Sequence, residues 1–116
     1  MTTKIYHNPR CSKSRQTLQL LNDKGVDTEI IEYLQTPPDF ETLENILQGL
    51  NMEPRELMRK GQDEYKALKL DDESLSRDDL IKAMIENPIL IERPIVITNN
   101  GIAIGRPIEN VEEILS

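Results

Sequence analysis

Tyr6-His7-Asn8-Pro9-Arg10-Cys11-Ser12-Lys13-Ser14-Arg15 holds the only cysteine and the only histidine of the chain. Ile5 and Tyr6 end a short apolar run before it, and Leu18, Leu20 and Leu21 follow in an amphipathic helical pattern. The stretch reads as strand, turn and helix N-terminus, with Cys11 at the turn. A helix N-terminus presents unpaired backbone N–H groups and partial positive charge, which favour a thiolate and a docked anion. An ordinary thiol, with a pKa of about 8.5, is only a few per cent ionised at neutral pH. Arg10, Lys13, Arg15 and a protonated His7 would all push that pKa down. A lone cysteine is commonly an inert buried hydrophobe. Pro, Arg, Ser and Lys neighbours instead make the electropositive setting of a reactive thiol.

Working outward, Lys4–Tyr6 is the first strand and Ser12–Lys24 the first helix, with Gly25 suited to the left-handed position beyond it. Glu29–Tyr33 reads as a second strand, parallel to the first through a right-handed crossover. Thr36-Pro37-Pro38-Asp39 stops the chain and restarts it. Phe40, Leu43, Ile46, Leu47 and Leu50 then recur at helical spacing. Pro54 opens a short helix carrying Leu57 and Met58, with Arg59 near its end and Gly61 beyond. Another helical piece is expected over Tyr65–Leu70. Ser76 and Asp79 form a capping-box pattern, with Leu75 and Leu80 as its staple. The helix they open ends at Asn87-Pro88.

Pro94 introduces Ile95-Val96-Ile97-Thr98 as a buried strand, Asn99-Asn100-Gly101 signals a hairpin, and Ile102–Ile104 returns antiparallel. Gly105-Arg106-Pro107 breaks that strand, and Ile108, Val111, Ile114 and Leu115 mark a closing helix. The order is βαβ, helical insert over about 39–87, then ββα. This is an α/β chain in the thioredoxin-like arrangement, with a four-stranded mixed sheet expected in a single domain over residues 1–116.

Composition bounds what such a chain does. At 116 residues it is long enough for a core of its own, and its 30% charged and 37% hydrophobic residues are ordinary for a soluble globular protein. The longest apolar run is far too short to span a bilayer, and no secretory signal is read, so a cytoplasmic location is expected. A net charge of −7 argues against nucleic-acid binding. A monomer is expected. One cysteine cannot close an internal disulfide, so any redox cycle at Cys11 needs an external thiol, such as glutathione or a partner protein.

Arg59, Arg93 and Arg106 sit at element boundaries, the last two immediately before Pro94 and Pro107. The planar guanidinium fork binds tetrahedral oxyanions through two hydrogen bonds. If the third strand pairs beside the first, Arg93-Pro94 comes close to Cys11, and the Arg93–Pro94 bond is a candidate cis peptide. His7 is read first as a hydrogen-bonding support of the loop, with stabilisation of the Cys11 thiolate as its functional alternative. Ser14 is read as a cap or a donor to the sulfur. A phosphatase-like Cys-x5-Arg loop needs arginine where Thr17 stands, and a Cys-x2-Cys dithiol needs cysteine where Ser14 stands. One Cys and one His make no metal-ligand cluster, and there is no glycine-rich phosphate loop.

His7-Asn8-Pro9-Arg10-Cys11-Ser12-Lys13-Ser14-Arg15, Leu57-Met58-Arg59-Lys60, Glu92-Arg93-Pro94-Ile95-Val96 and Gly105-Arg106-Pro107 occur in that order. Together they resemble the ArsC family of glutaredoxin-dependent arsenate reductases, in its arsenate-reductase-like branch, over essentially the whole chain. The resemblance implies a thioredoxin-like fold and an oxidoreductase with Cys11 as nucleophile. It implies Arg59, Arg93 and Arg106 as ligands of arsenate, and His7, Asn8, Ser12, Ser14 and Pro94 as the supporting loop. Glutathione would act as co-substrate and glutaredoxin as reducing partner, with no bound cofactor. Where well-studied relatives resemble Cys-Gly-Thr-Ser, this chain has Cys11-Ser12-Lys13-Ser14, which replaces a glycine at the anion site and adds the charge of Lys13. Two alternatives stay open: a Spx-like regulator that binds RNA polymerase, and a thiol enzyme acting on another oxyanion or a disulfide.

Overall fold

The structure, a computed structural model, describes residues 3–115. The chain divides into two compact units, Met1–Thr36 with Arg93–Ser116, and Pro37–Glu92.

The first unit holds the sheet. Strands β1 (Thr3–Tyr6), β2 (Thr28–Ile31), β3 (Ile95–Thr98) and β4 (Gly101–Ile104) lie in the order β2-β1-β3-β4. β1 runs parallel to β2, and β3 is antiparallel to both β1 and β4. The sheet is therefore mixed, as the thioredoxin-like reading requires. Helix α1 (Ser12–Asp23) makes the crossover from β1 to β2. Gly25 takes φ +69° just past its end, a conformation that costs a residue without Cβ little. Ile5, Leu21, Val96, Ala103 and Val111 form the buried core of this unit, and Leu18, Val26 and Ile114 pack on it. The apolar face of α1 and alternate residues of the central strands thus meet as their spacing dictates.

One row across the sheet fixes what the loops bring together. Tyr6 pairs with Ile31 on one side and Ile95 on the other, and Ile95 pairs with Ile104. The next residues out, Glu32, His7, Pro94 and Gly105, therefore emerge along one edge of the sheet. β2 is shorter than its apolar run predicts. Glu32 and Tyr33 leave the strand because the carbonyl of Glu32 accepts from the N–H groups of Gln35 and Thr36, closing a turn at 3.0 Å. Tyr33 is buried there instead of in the sheet.

The second unit is helical: α2 (Phe40–Leu50), α3 (Pro54–Leu57), α4 (Asp63–Ala67) and α5 (Arg77–Glu86), followed by a 3-10 turn over Pro88–Leu90. Asp39 caps α2 by accepting from the Thr42 N–H at 2.8 Å. Ser76 and Asp79 close the expected capping box on α5, at 3.1 and 3.0 Å. Leu43, Ile46 and Leu47 of α2, Leu57 of α3, and Leu80, Ile81 and Met84 of α5 are buried. Arg77 joins α5 to Glu44 of α2 and to Glu53 beside α3, at 2.5 and 3.0 Å.

In this unit α3 and α4 differ from the sequence reading. Met58 is not helical. It is extended, with φ −82° and ψ 144°, and pairs with Ile91 as an isolated bridge. Arg59 accordingly gives its N–H to the Leu90 carbonyl at 2.7 Å, not to a helical partner. α4 begins before Tyr65 and stops at Ala67, because Lys69 turns left-handed at φ +54° and Leu70 folds back to the Tyr65 carbonyl at 3.1 Å. The closing helix α6 (Glu109–Glu113) is short, with Val111 as its buried residue.

Candidate active site

Cys11 stands at the N-cap of α1 in extended conformation, with φ −95° and ψ 123°. Its side chain is held in a loop that is closed by its own polar groups. The Cys11 N–H donates to the Asn8 carbonyl and the Arg10 N–H to Asn8 Oδ1, each at 3.0 Å. Arg15, one turn into the helix, reaches back from Nη1 to the Pro9 carbonyl at 2.9 Å. Ser14 is fully buried, and its Oγ accepts from the Asn8 N–H at 3.0 Å and meets His7 Nδ1 at 2.6 Å. His7 and Ser14 therefore tie the end of β1 to the first turn of α1, with the cysteine turn between them. Ser12 is exposed at the start of the helix.

The electrostatics of the sulfur follow from this placement. Cys11 is only 7% exposed. Burial, the largest single influence, raises its pKa, but it is outweighed by the Ser14 N–H, the charge of Arg93, a hydrogen bond from Arg106 and the Lys13 N–H. The net result is a thiol held below its ordinary pKa. Arg106 Nη2 donates to Cys11 Sγ at 3.4 Å, and Arg106 Nε donates to the Arg93 carbonyl at 2.9 Å. The cations that act on the sulfur are thus Arg93 and Arg106, which are remote in sequence. Of the neighbouring cations, Lys13 contributes through its backbone, and Arg15 is engaged with Pro9. A protonated His7 is not part of the arrangement either. Desolvation lowers its pKa, Glu32 opposes that and Arg15 adds to it, leaving the imidazole more readily neutral than in water.

These contacts predict a pH shift. Arg106→Ala removes a donor to the thiolate, so the midpoint of Cys11 ionisation should move upward, read from thiolate absorbance or from the pH dependence of alkylation. An unmoved midpoint would remove Arg106 from the activation of the thiol.

Pro94 follows a cis peptide bond, and so does Pro107. The cis bond at Pro107 was not anticipated from the sequence. A supporting residue also missed is Gly105. Its N–H donates to the Pro94 carbonyl at 2.9 Å, and a Cβ built on it would lie 2.6 Å from Thr17 Oγ1 and 2.8 Å from Pro94 Cγ. No local pattern announces that approach, because its partners come from α1 and from the start of β3. Arg59 belongs to the second unit. With the Gln62 amide oxygen turned toward it, Arg59 donates from Nη1 and Nη2 at 2.9 and 3.0 Å. Among the described residues no group of three or more His, Cys, Asp or Glu side chains is placed to hold a metal ion. No helix among them is long and apolar enough to cross a membrane.

Comparison with known proteins places this chain in a lineage. The ArsC family profile matches residues 6–114. The chain is 57% identical to the uncharacterized protein YfgD of Escherichia coli K12, across 97% of this chain and 95% of that protein. It is 48% identical to an arsenate reductase of Neisseria meningitidis serogroup B, across 97% of each. The solved structure of an arsenate reductase from Vibrio cholerae superposes with a TM-score of 0.94 at 50% identity, covering 99% of this chain and 98% of the other. A protein with the four motifs above, the same sheet and that breadth of similarity belongs to the ArsC family.

Proposed function

We propose that this chain is an arsenate reductase, located in the cytoplasm, in which the Cys11 thiolate attacks arsenate. The observation that carries the reading is the Arg106 guanidinium on Cys11 Sγ, with the same side chain bound to the Arg93 carbonyl. One cation thereby stabilises the nucleophile and stands where an oxyanion approaching the sulfur gathers charge. Arg93 and Arg106 bind the arsenate oxygens. Arg59, carried by the second unit, enters as a third ligand on the family resemblance alone. The thiolate electron pair forms the S–As bond, and one arsenate oxygen, once protonated, leaves as water. Arsenic stays pentavalent at this stage. Glutathione then releases arsenite and leaves a mixed disulfide on Cys11, which glutaredoxin reduces. The single cysteine supports this division of labour, because the second thiol must come from another molecule.

The test is arsenate-dependent NADPH oxidation in an assay coupled through glutathione, glutaredoxin and glutathione reductase. Turnover is the expected result. Its absence in a folded protein whose Cys11 still ionises early would reject arsenate and redirect the search to another oxyanion. Arg93→Lys keeps the charge and loses the fork, so it should weaken arsenate binding by about tenfold, seen as a raised KM. Unchanged affinity would count against the pocket.

A further inference from the structure

On the second unit, among residues that the reaction does not use, a groove of about 200 Å³ runs along α5. One wall is the helix itself, through Asp79, Ala83, Glu86 and Asn87. Their spacing of four, three and one residues puts them on one face. Leu80, Ile81 and Met84 of the same helix are buried in the unit instead. The other wall is the chain between α4 and α5, which contributes Leu68, Leu70 and Leu75. Leu70 is buried there, whereas Leu68 is 46% exposed. Both walls are preformed. Arg55 donates from Nε to the Leu70 carbonyl at 2.9 Å and from Nη2 to the Asp72 carbonyl at 2.6 Å. Asp79 Oδ2 accepts from the Ser76 N–H at 3.0 Å, which fixes the carboxylate at the head of the groove.

We infer that this groove docks a basic protein segment, one that carries a single apolar anchor residue between lysines or arginines. The inference is independent of the reaction at Cys11. The anchor follows from the volume and the apolar wall. A closed apolar cavity of about 150 Å³ holds benzene, so a groove of about 200 Å³ takes one large side chain. Ala83, the smallest side chain of the α5 wall, leaves the room for it.

The cations follow from the rim. Asp79 and Glu86 stand two turns apart, about 10 Å along α5, on either side of Ala83. Asp71, Asp72, Glu73 and Asp78 are exposed in the adjoining chain. Arg77, the arginine of this stretch, is turned to Glu44 and Glu53. Lys66, Lys69 and Lys82 are close in sequence but do not line the groove. The same charges select the class of partner. Nucleic acid and anionic lipid would be repelled, and two copies of this face would set like charges against each other. A basic segment instead meets opposite charge at the rim while its anchor is desolvated at the centre.

The intact protein tests this with the synthetic peptide acetyl-Lys-Lys-Leu-Lys-Lys-amide, its backbone amides followed by NMR. Saturating shifts at Leu68, Leu70, Leu75, Ala83 and Asn87 are expected at millimolar peptide or below, weakening as salt is raised. Replacing the peptide's leucine by alanine should weaken binding by about tenfold, the scale of one buried leucine side chain. Replacing its lysines by glutamate should abolish binding. In the protein, Ala83→Leu fills the groove and should weaken the peptide by about tenfold with Tm unchanged. Glu86→Lys, at an exposed position, gives the same reading without touching the packing, because it sets a like charge against the peptide. No shifts at millimolar peptide, or full affinity in both protein variants, overturns the proposal. Binding that ignores the peptide's leucine and spreads over Asp71–Glu73 is charge attraction alone and overturns it too. Shifts at the groove that grow with protein concentration, without peptide, would make the occupant a second copy and overturn the assignment of a basic partner.

Discussion

Cys11→Ser is expected to lower arsenate-dependent turnover by about a thousandfold or more, the scale of losing a covalent nucleophile, while leaving the fold intact. The chemical loss is plain, since a hydroxyl in this position has no base to ionise it. His7 Nδ1 is taken up with Ser14, and the groups around position 11 are cations and backbone N–H donors. The structural tolerance is equally specific. Position 11 is the N-cap of α1, and serine is among the preferred residues there, because its oxygen accepts from N–H groups of the first helical turn. The variant therefore keeps or improves the helix start.

A pH comparison of the two proteins adds a second reading. A thiol whose pKa is lowered by folding contributes stability that is fully present above its unfolded pKa. That contribution is lost as pH falls through the folded value. The stability of wild type relative to Cys11→Ser should therefore rise as pH increases through this window. Chemical denaturation at several pH values measures it. A gap independent of pH would show that the loop does not favour the thiolate.

How much of this was legible beforehand depended on the range of the interactions. The turn at Cys11, the restart at Asp39, the cap at Ser76 and the hairpin before Gly101 are each written within a few residues, and the structure has them at those places. The mixed sheet, with β1 parallel to β2, followed from the βαβ and ββα pattern together with the handedness of the crossover, whereas the place of β3 beside β1 stood only as a condition. What failed was non-local. Met58 looked helical by spacing, but Ile91 pulls it into an extended bridge. Tyr33 looked like a strand residue because it closes the apolar stretch begun by Ile30 and Ile31, but the chain turns at Glu32. At the cysteine, the charge of its sequence neighbours drew attention to Arg10 and Arg15. The guanidinium on the sulfur is instead that of Arg106, delivered by the pairing of Ile95 with Ile104. Sequence proximity is a poor guide to electrostatics when the chain returns to the same edge of a sheet twice.

Gly105→Ala should be the most damaging change of a single methyl group in the first unit. The reason is space, not backbone freedom. The added Cβ would meet Thr17 Oγ1 at 2.6 Å and Pro94 at 2.8 Å for Cγ and 3.3 Å for Cδ, distances that require something to move. Neither obstacle yields cheaply. Thr17 is fully buried, and its hydroxyl donates to the Lys13 carbonyl at 2.9 Å. Pro94 is a buried ring whose carbonyl accepts from the Gly105 N–H. Overpacking of this kind costs about 1–3 kcal/mol, and a domain of this size loses about 4 °C in Tm for each kcal/mol. The consequence for chemistry is the larger one. Arg106 is the next residue, and its hydrogen bonds to the Arg93 carbonyl and to Cys11 both span the gap that the methyl group would widen. The variant should therefore unfold at lower temperature, show a Cys11 ionisation moved toward its ordinary value, and lose turnover beyond what the stability change explains. Thr17→Ala in the same chain removes the nearest obstacle and should recover part of the Tm but not all of it, because Pro94 remains. A Gly105→Ala protein with wild-type Tm and an unshifted thiol would show that β4 can lift away from Pro94 at no cost, and that the placement of Arg106 does not depend on this contact.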